Sequence, residues 1–139
     1  MAFAQIYPWL SVEKDVVLDP RNPYTQMFVL INTGYIPIVN LDAHCTMSSK
    51  VVIGNTTFHL DRNTVHWLNF VDYLGHEGRV TIPCFHDLST NGQISDATLT
   101  ITINYGFLYA NVRPLRRWQK FRFKAVPAPD GQLHWLYLG

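Results

Sequence analysis

A chain of 139 residues fits one domain, 1–139, long enough to bury a core without several covalent staples. Apolar residues are 47% of the chain and aromatics 14%, which excludes disorder and suits an all-β globule. A formal net charge of +1 sets up no global field toward nucleic acid or a membrane surface, and no apolar run approaches the roughly 18 residues that span a bilayer.

The opening Met1-Ala2-Phe3-Ala4-Gln5 has neither the basic nor the apolar region of a signal peptide. A first strand is predicted from Trp9 to Val17, ending at Leu18-Asp19-Pro20-Arg21-Asn22-Pro23, where two prolines sit beside turn-forming Asp and Asn. Met27 to Ile31 is apolar on both faces, the pattern of a central strand covered on each side. It stops at Asn32-Thr33-Gly34, where Gly34 is available for the positive φ of a tight turn. Next, Val39, Leu41, Ala43 and Cys45 share one face of a strand that ends at Cys45. Val51 to Ile53 and Thr56 to Leu60 read as a hairpin joined through Gly54-Asn55.

Val65 to Leu74 fits two patterns, because Trp67, Phe70, Val71 and Leu74 sit at helical spacing and alternation fits nearly as well. Gly75-His76-Glu77-Gly78 turns into a strand whose Val80, Ile82 and Cys84 share a face. Ser89 to Gly92 is a loop. Ala97 to Tyr105 is the cleanest strand, with Leu99, Ile101, Ile103 and Tyr105 alternating against Thr98, Thr100, Thr102 and Asn104. Phe121 and Phe123 alternate with Lys120, Arg122 and Lys124, and Gly131 separates that strand from a last one, Gln132 to Leu138. Some eight short strands at this spacing predict a Greek-key β-sandwich. Its inter-sheet core is expected to hold Leu41, Val80, Ile82, Leu99, Ile101, Ile103, Phe121 and Phe123.

Cys45 and Cys84 each end an alternating run on its core face, which suggests an inter-sheet disulfide closing one end of the sandwich, and an oxidising compartment. Closing a loop of that length is worth roughly 4 kcal/mol on the chain-entropy model. An oxidised pair conflicts with the missing export signal. A signal or anchor ahead of Phe3, absent from this chain, reconciles the two; the alternative is a cytosolic protein with two free buried thiols.

The order of motifs resembles a group of small, uncharacterised bacterial proteins that carry an immunoglobulin-like domain outside an N-terminal membrane anchor. The matching residues are Trp9-Leu10-Ser11-Val12, Leu18-Asp19-Pro20 with Asn22-Pro23, and Phe28 through Gly34. They continue with Pro37 and Asn40 ahead of Cys45, then Thr81-Ile82-Pro83-Cys84, Phe121-Arg122-Phe123, and Gly131 through Leu136. The resemblance implies an immunoglobulin-like Greek-key sandwich of about seven to nine strands, placed in the periplasm or at the cell surface, and no catalytic residue.

Six histidines invite a metal or catalytic reading, yet none forms the HxH, HxxxH or HExxH spacing that sets two imidazoles on one ion. His44 is expected exposed on its strand, His59 and His66 lie around a predicted turn, and His76 and His86 flank the Cys84 strand. His86-Asp87 beside Cys84 suggests a nucleophile pair, but a thiol facing the core is a poor nucleophile. No phosphate-cradling glycine loop, GxSxG or paired-carboxylate motif is present, so no cofactor or metal is called for.

The local charge concentration is 113–124, with Arg113, Arg116, Arg117, Lys120, Arg122 and Lys124 interleaved with Trp118, Phe121 and Phe123. The plain account makes Lys120, Arg122 and Lys124 the solvent face of a strand, where cations also discourage edge-to-edge pairing. The functional account makes the stretch a surface for an anionic glycan, a phosphate, nucleic acid or anionic headgroups. Of the four tryptophans, Trp9 and Trp135 read as core or sheet-packing residues, while Trp67 and Trp118 are the candidates for an exposed sugar-stacking platform.

The reading that follows is a non-catalytic extracytoplasmic module for binding or structure, with 113–124 as its contact surface toward another protein or an anionic surface. Specific nucleic-acid binding is not expected, membrane attachment would run through the missing anchor, and a homodimer through exposed edges is a further option. A carbohydrate-binding module using Trp67 or Trp118 is the alternative, and a hydrolase-type enzyme comes third.

Overall fold

A computed structural model describes residues 9–17, 22–85, 93–109, 113–130 and 132–139. They form eight strands: β1 (Leu10–Val17), β2 (Gln26–Asn32), β3 (Ile38–Ile53), β4 (Thr56–Leu74), β5 (Arg79–Ile82), β6 (Gln93–Tyr109), β7 (Arg113–Pro127) and β8 (Leu133–Tyr137). A single 3-10 turn, Pro23–Thr25, precedes β2. The strands make a three-stranded sheet, β1-β2-β5, and a five-stranded sheet, β4-β3-β6-β7-β8. Every pair is antiparallel. The chain builds the β1–β2 hairpin, crosses to β3 and β4, returns to lay β5 beside β2, and crosses again to lay β6 beside β3.

One core joins the two sheets. Leu10, Phe28, Leu30 and Ile82 from the small sheet meet Leu41, Cys45, Ile101, Ile103, Phe121 and Phe123 from the large one. The Phe28 and Phe123 rings lie 4.8 Å apart across the layers, in the tilted arrangement aromatic pairs favour. Alternation in β6 and β7 holds as the sequence predicts: Leu99, Ile101, Ile103, Tyr105, Phe121 and Phe123 are buried. Val80 of the expected core is only half-buried.

Cys45 and Cys84 are bonded, with their Cα atoms 5.7 Å apart. The bond does not close an end of the sandwich. Cys45 sits in mid β3, which runs on to Ile53, and Cys84 lies just past the end of β5. The disulfide therefore pins the exit of the small sheet onto the middle of the large one.

Two further expectations are corrected and one open reading is decided. Val39 does not share the face of Leu41, because Asn40 takes a φ of 51° and the register shifts there, so that Ile38 is buried instead. The stretch 65–74 is strand, part of β4. Its helical spacing has a local cause: Val71 pairs with Leu41 and Leu74 with Ile38, so the three-residue step matches the bulge in β3. Gly34 takes no positive φ. Asn32 makes that turn instead, its side-chain oxygen accepting from the Gly34 N–H at 3.0 Å while its amide donates to the carbonyls of Ile36 (3.1 Å) and Leu74 (3.0 Å). The Gly54-Asn55 hairpin turn does carry a positive φ, 62° at Gly54. The calls on Leu18 to Arg21, His86-Asp87, Ser89 to Gly92 and Gly131 lie outside the described residues.

Buried polar groups are paired. Tyr24 Oη and Ser49 Oγ are 2.7 Å apart, and the Trp135 indole N–H donates to the Pro23 carbonyl at 2.8 Å. Trp135 is core, as expected. Gln119 spans the sheets: its Oε1 accepts from the Tyr105 hydroxyl (2.6 Å) and the Leu10 N–H (3.3 Å), and its Nε2 donates to the Leu10 carbonyl (3.4 Å).

Two outcomes follow. Cys45→Ala should lower the melting temperature by about 10 °C under non-reducing conditions, with no further drop on adding reductant, whereas reductant lowers the parent. An unchanged transition would refute a stabilising role for the bond. Gln119→Leu strands the Tyr105 hydroxyl and the Leu10 peptide, and chemical denaturation should show a loss of about 1–3 kcal/mol.

Candidate functional site

The outer face of the five-stranded sheet collects the side chains that inward alternation leaves over. Strand register aligns them in rows. His66 of β4 pairs with His44 of β3, which pairs with Thr102 of β6, which pairs with Lys120 of β7. The next row is Thr64, Thr46, Thr100 and Arg122, and the third is Ser48, Thr98 and Lys124. With strands about 4.8 Å apart and same-face residues about 6.8 Å apart along a strand, the grid covers roughly 15 Å in each direction. Threonine suits these positions, because a β-branched side chain fits the pleat while its hydroxyl faces water.

Lys120, Arg122 and Lys124 are all exposed, and among the described residues no acid pairs with them. Lys120 Nζ sits 5.3 Å from the centre of the exposed Trp118 ring. The other cations of the stretch are used differently. Arg116 donates to Asn104 Oδ1 at 2.9 and 3.1 Å and reaches Asp42 at 3.6 Å. Arg117 stacks over Trp9, 5.3 Å from its ring. The side chain of Arg113 lies outside the described residues. The run of six cations in sequence is thus three aligned cations on one face, with Arg116 tied down and Arg117 turned to the edge.

The histidines divide as well. His59 and His66 lie on one strand, β4, with no turn between them. His44 is half-buried and stacks on His66 with ring centres 4.1 Å apart, while Thr46 Oγ1 lies 3.0 Å from its Nε2. Burial, and then the neighbouring charges of His66 and Lys120, hold the His44 pKa below its ordinary 6.5. Below the third row, Ser48, Lys50, His59, Asp96 and Thr98 line a shallow depression of about 80 Å³.

The tryptophans depart from expectation. Trp9 is half-exposed at the sheet edge instead of buried in the core. Trp67 pairs with Ala43 on the inward face of β4, half-covered and packed on Phe70 at 5.7 Å. Trp118 pairs with Asn104 on the outward face. Trp67 and Trp118 are therefore on opposite sides of the sheet and share no platform.

Sequence reading found Lys120, Arg122 and Lys124 but not the hydroxyl and imidazole rows beside them. Those rows join residues some 20 to 80 positions apart, and the local signal, threonine at every second position of β6, says nothing of its neighbours. Comparison with protein-family models and with curated proteins finds no match for this chain.

A His whose pKa is lowered by folding stabilises the protein above its unfolded value and loses that contribution as pH falls through 6.5 toward the folded value. The melting temperature should therefore drop between pH 7 and pH 5, and drop less steeply in His44→Gln. Equal slopes in the two proteins would show that His44 is not the group responsible.

Proposed function

We propose that this chain is a non-catalytic, immunoglobulin-like extracytoplasmic module whose outer sheet face binds an anionic, hydroxyl-rich polymer such as an acidic or sulfated glycan. The observation that carries the reading is the in-register alignment of Lys120, Arg122 and Lys124 with Thr102, Thr100 and Thr98. A cation every 6.8 Å or so meets repeating negative charge along a polymer, and the adjoining hydroxyls and imidazoles offer hydrogen bonds to ring hydroxyls. The depression beside the third row is open and small, which suits an extended ligand more than an enclosed substrate.

The immunoglobulin-like part of the reading rests on strand path: β1, β2 and β5 in one sheet, and β3 flanked by β4 and β6 in the other, with β7 beside β6. Placement outside the cytoplasm rests on the disulfide, since such bonds persist in oxidising compartments. Membrane attachment, in the manner of the bacterial proteins the chain resembles, would set this face near the cell envelope's acidic polymers.

The test is titration calorimetry against heparin, polygalacturonate and neutral dextran. The anionic polymers should bind and dextran should not, with affinity falling steeply from 50 to 300 mM salt. At about 1 kcal/mol per cation near an anionic surface, combined K120E, R122E and K124E substitution should weaken binding on the order of 100-fold with melting unchanged. Binding that ignores the triple reversal, or equal binding to dextran, would remove the reading.

A further inference from the structure

The five-stranded sheet is unfinished along one edge. β8 pairs with β7 only over Phe123 to Pro127, and one further bond runs from the Leu138 N–H to the Arg122 carbonyl at 2.8 Å. Backbone polar groups alternate sides along a strand, so the N–H and C=O of Lys120 and Trp118 point the same way as those of Arg122. Among the described residues no strand meets them. The slot lies in line with β8, and from Arg116 to Phe121 it is roughly 20 Å long.

Its opposite wall is β1, which among the described residues pairs only with β2. Trp9 sends its carbonyl to the Thr33 N–H at 2.8 Å, so the groups of Leu10 and Val12 face away from β2 and toward the slot. Those of Leu10 are already taken, by the Gln119 amide, which bonds both its N–H and its C=O. A side-chain amide here occupies the position of a peptide group and shows the distance at which one fits. Between Val12, Phe121, Tyr137 and Trp9 lies a cavity of about 290 Å³.

Charge decides the occupant. Arg116, Arg117 and Lys120 carry the charge along this stretch, Arg116 held on the outer face by Asn104 and Asp42, Arg117 lying over Trp9 and Lys120 at the slot itself. Two copies pairing antiparallel about Trp118 would set Lys120 opposite Arg116 of the other chain, and like charges directly opposite destabilise a strand pair. An acidic strand has the complementary pattern, with its apolar alternate residues directed at Phe121 and Val12. We infer that the open edge of β7, from Arg116 to Phe121, takes up an extended acidic segment of a partner protein by β-strand addition.

The inference is independent of the glycan-binding face, since it depends on backbone groups in the sheet plane. The probe is an eight-residue peptide of alternating glutamate and valine, titrated into isotopically labelled full-length chain and followed by backbone amide NMR. The Trp118 and Lys120 amides should exchange freely with solvent beforehand and become protected at saturation. The same peptide N-methylated at alternate residues keeps its charge but loses its donors, and should bind at least tenfold more weakly. An alternating lysine and valine peptide should not bind. Trp118→Pro removes an edge N–H while leaving Lys120, Arg122 and Lys124 in place, and should abolish peptide binding.

Equal binding of the N-methylated peptide would reduce the effect to charge alone and overturn the inference. Absence of binding at millimolar peptide would also overturn it, as would Trp118 and Lys120 amides already protected in the free protein, whether by the chain itself or by a dimer. Failure of the parent chain to bind the peptide while it still binds heparin would discard this inference and spare the proposed function.

Discussion

The bond between Cys45 and Cys84 fixes where a small sheet sits on a large one. It ties the exit of β5 to the middle of β3, so three strands cover the centre of a sheet of five. The coverage is complete under that centre, where Leu30, Leu41, Cys45, Ile82, Ile101 and Ile103 are fully buried. It cannot reach both flanks. On the β4 side, Trp67 and Phe70 are left half-covered; on the β8 side, Tyr137 remains about half exposed. The open edge of β7 has a separate cause, the short β8, which pairs only with Phe123 to Pro127.

Polar side chains complete the joints where the sheets do not meet by apolar contact. Asn32 is fully buried, and its backbone is engaged too, donating to the Gly78 carbonyl and accepting from the Glu77 N–H. One residue thus holds the end of β2, the turn that follows, the end of β4 and, through its backbone, the turn into β5. Gln119 does the same at the opposite margin, with Tyr105 as its inner partner. Burial pushes the Tyr105 phenol up to about 12, against the opposing field of Arg117, so it stays a hydrogen-bond donor throughout the neutral range. Among the described residues no buried side-chain polar atom lacks a partner, which is what a single well-defined packing requires.

What could be read from the sequence was whatever repeats with period two. β6 and β7 alternate without interruption from Ala97 to Tyr105 and from Lys120 to Lys124, and their buried faces are as written in the chain. Bulges defeated the same reasoning, because the positive φ at Asn40 moves the buried position from Val39 to Ile38 and gives β4 a helix-like step. The Cys45 strand seemed to end early since Ser48, Ser49 and Lys50 are weak strand formers. They continue as strand because β4 and β6 pair with them on both sides, a context no local pattern contains. Trp9 was misplaced for a related reason: its position depends on Arg117, across the gap between the two sheets.

β7 is where both proposed interactions meet, and strand geometry keeps them apart. At Lys120 the side chain projects perpendicular to the sheet, onto the face shared with Thr102 and His44, while the peptide group lies in the sheet plane and points to the slot. A polyanion reads the first and a strand reads the second. The same charge opposes self-pairing at this edge. Cations along 116–120 oppose pairing with another copy of themselves, so the edge stays open to a partner of the opposite sign while staying closed to its own kind.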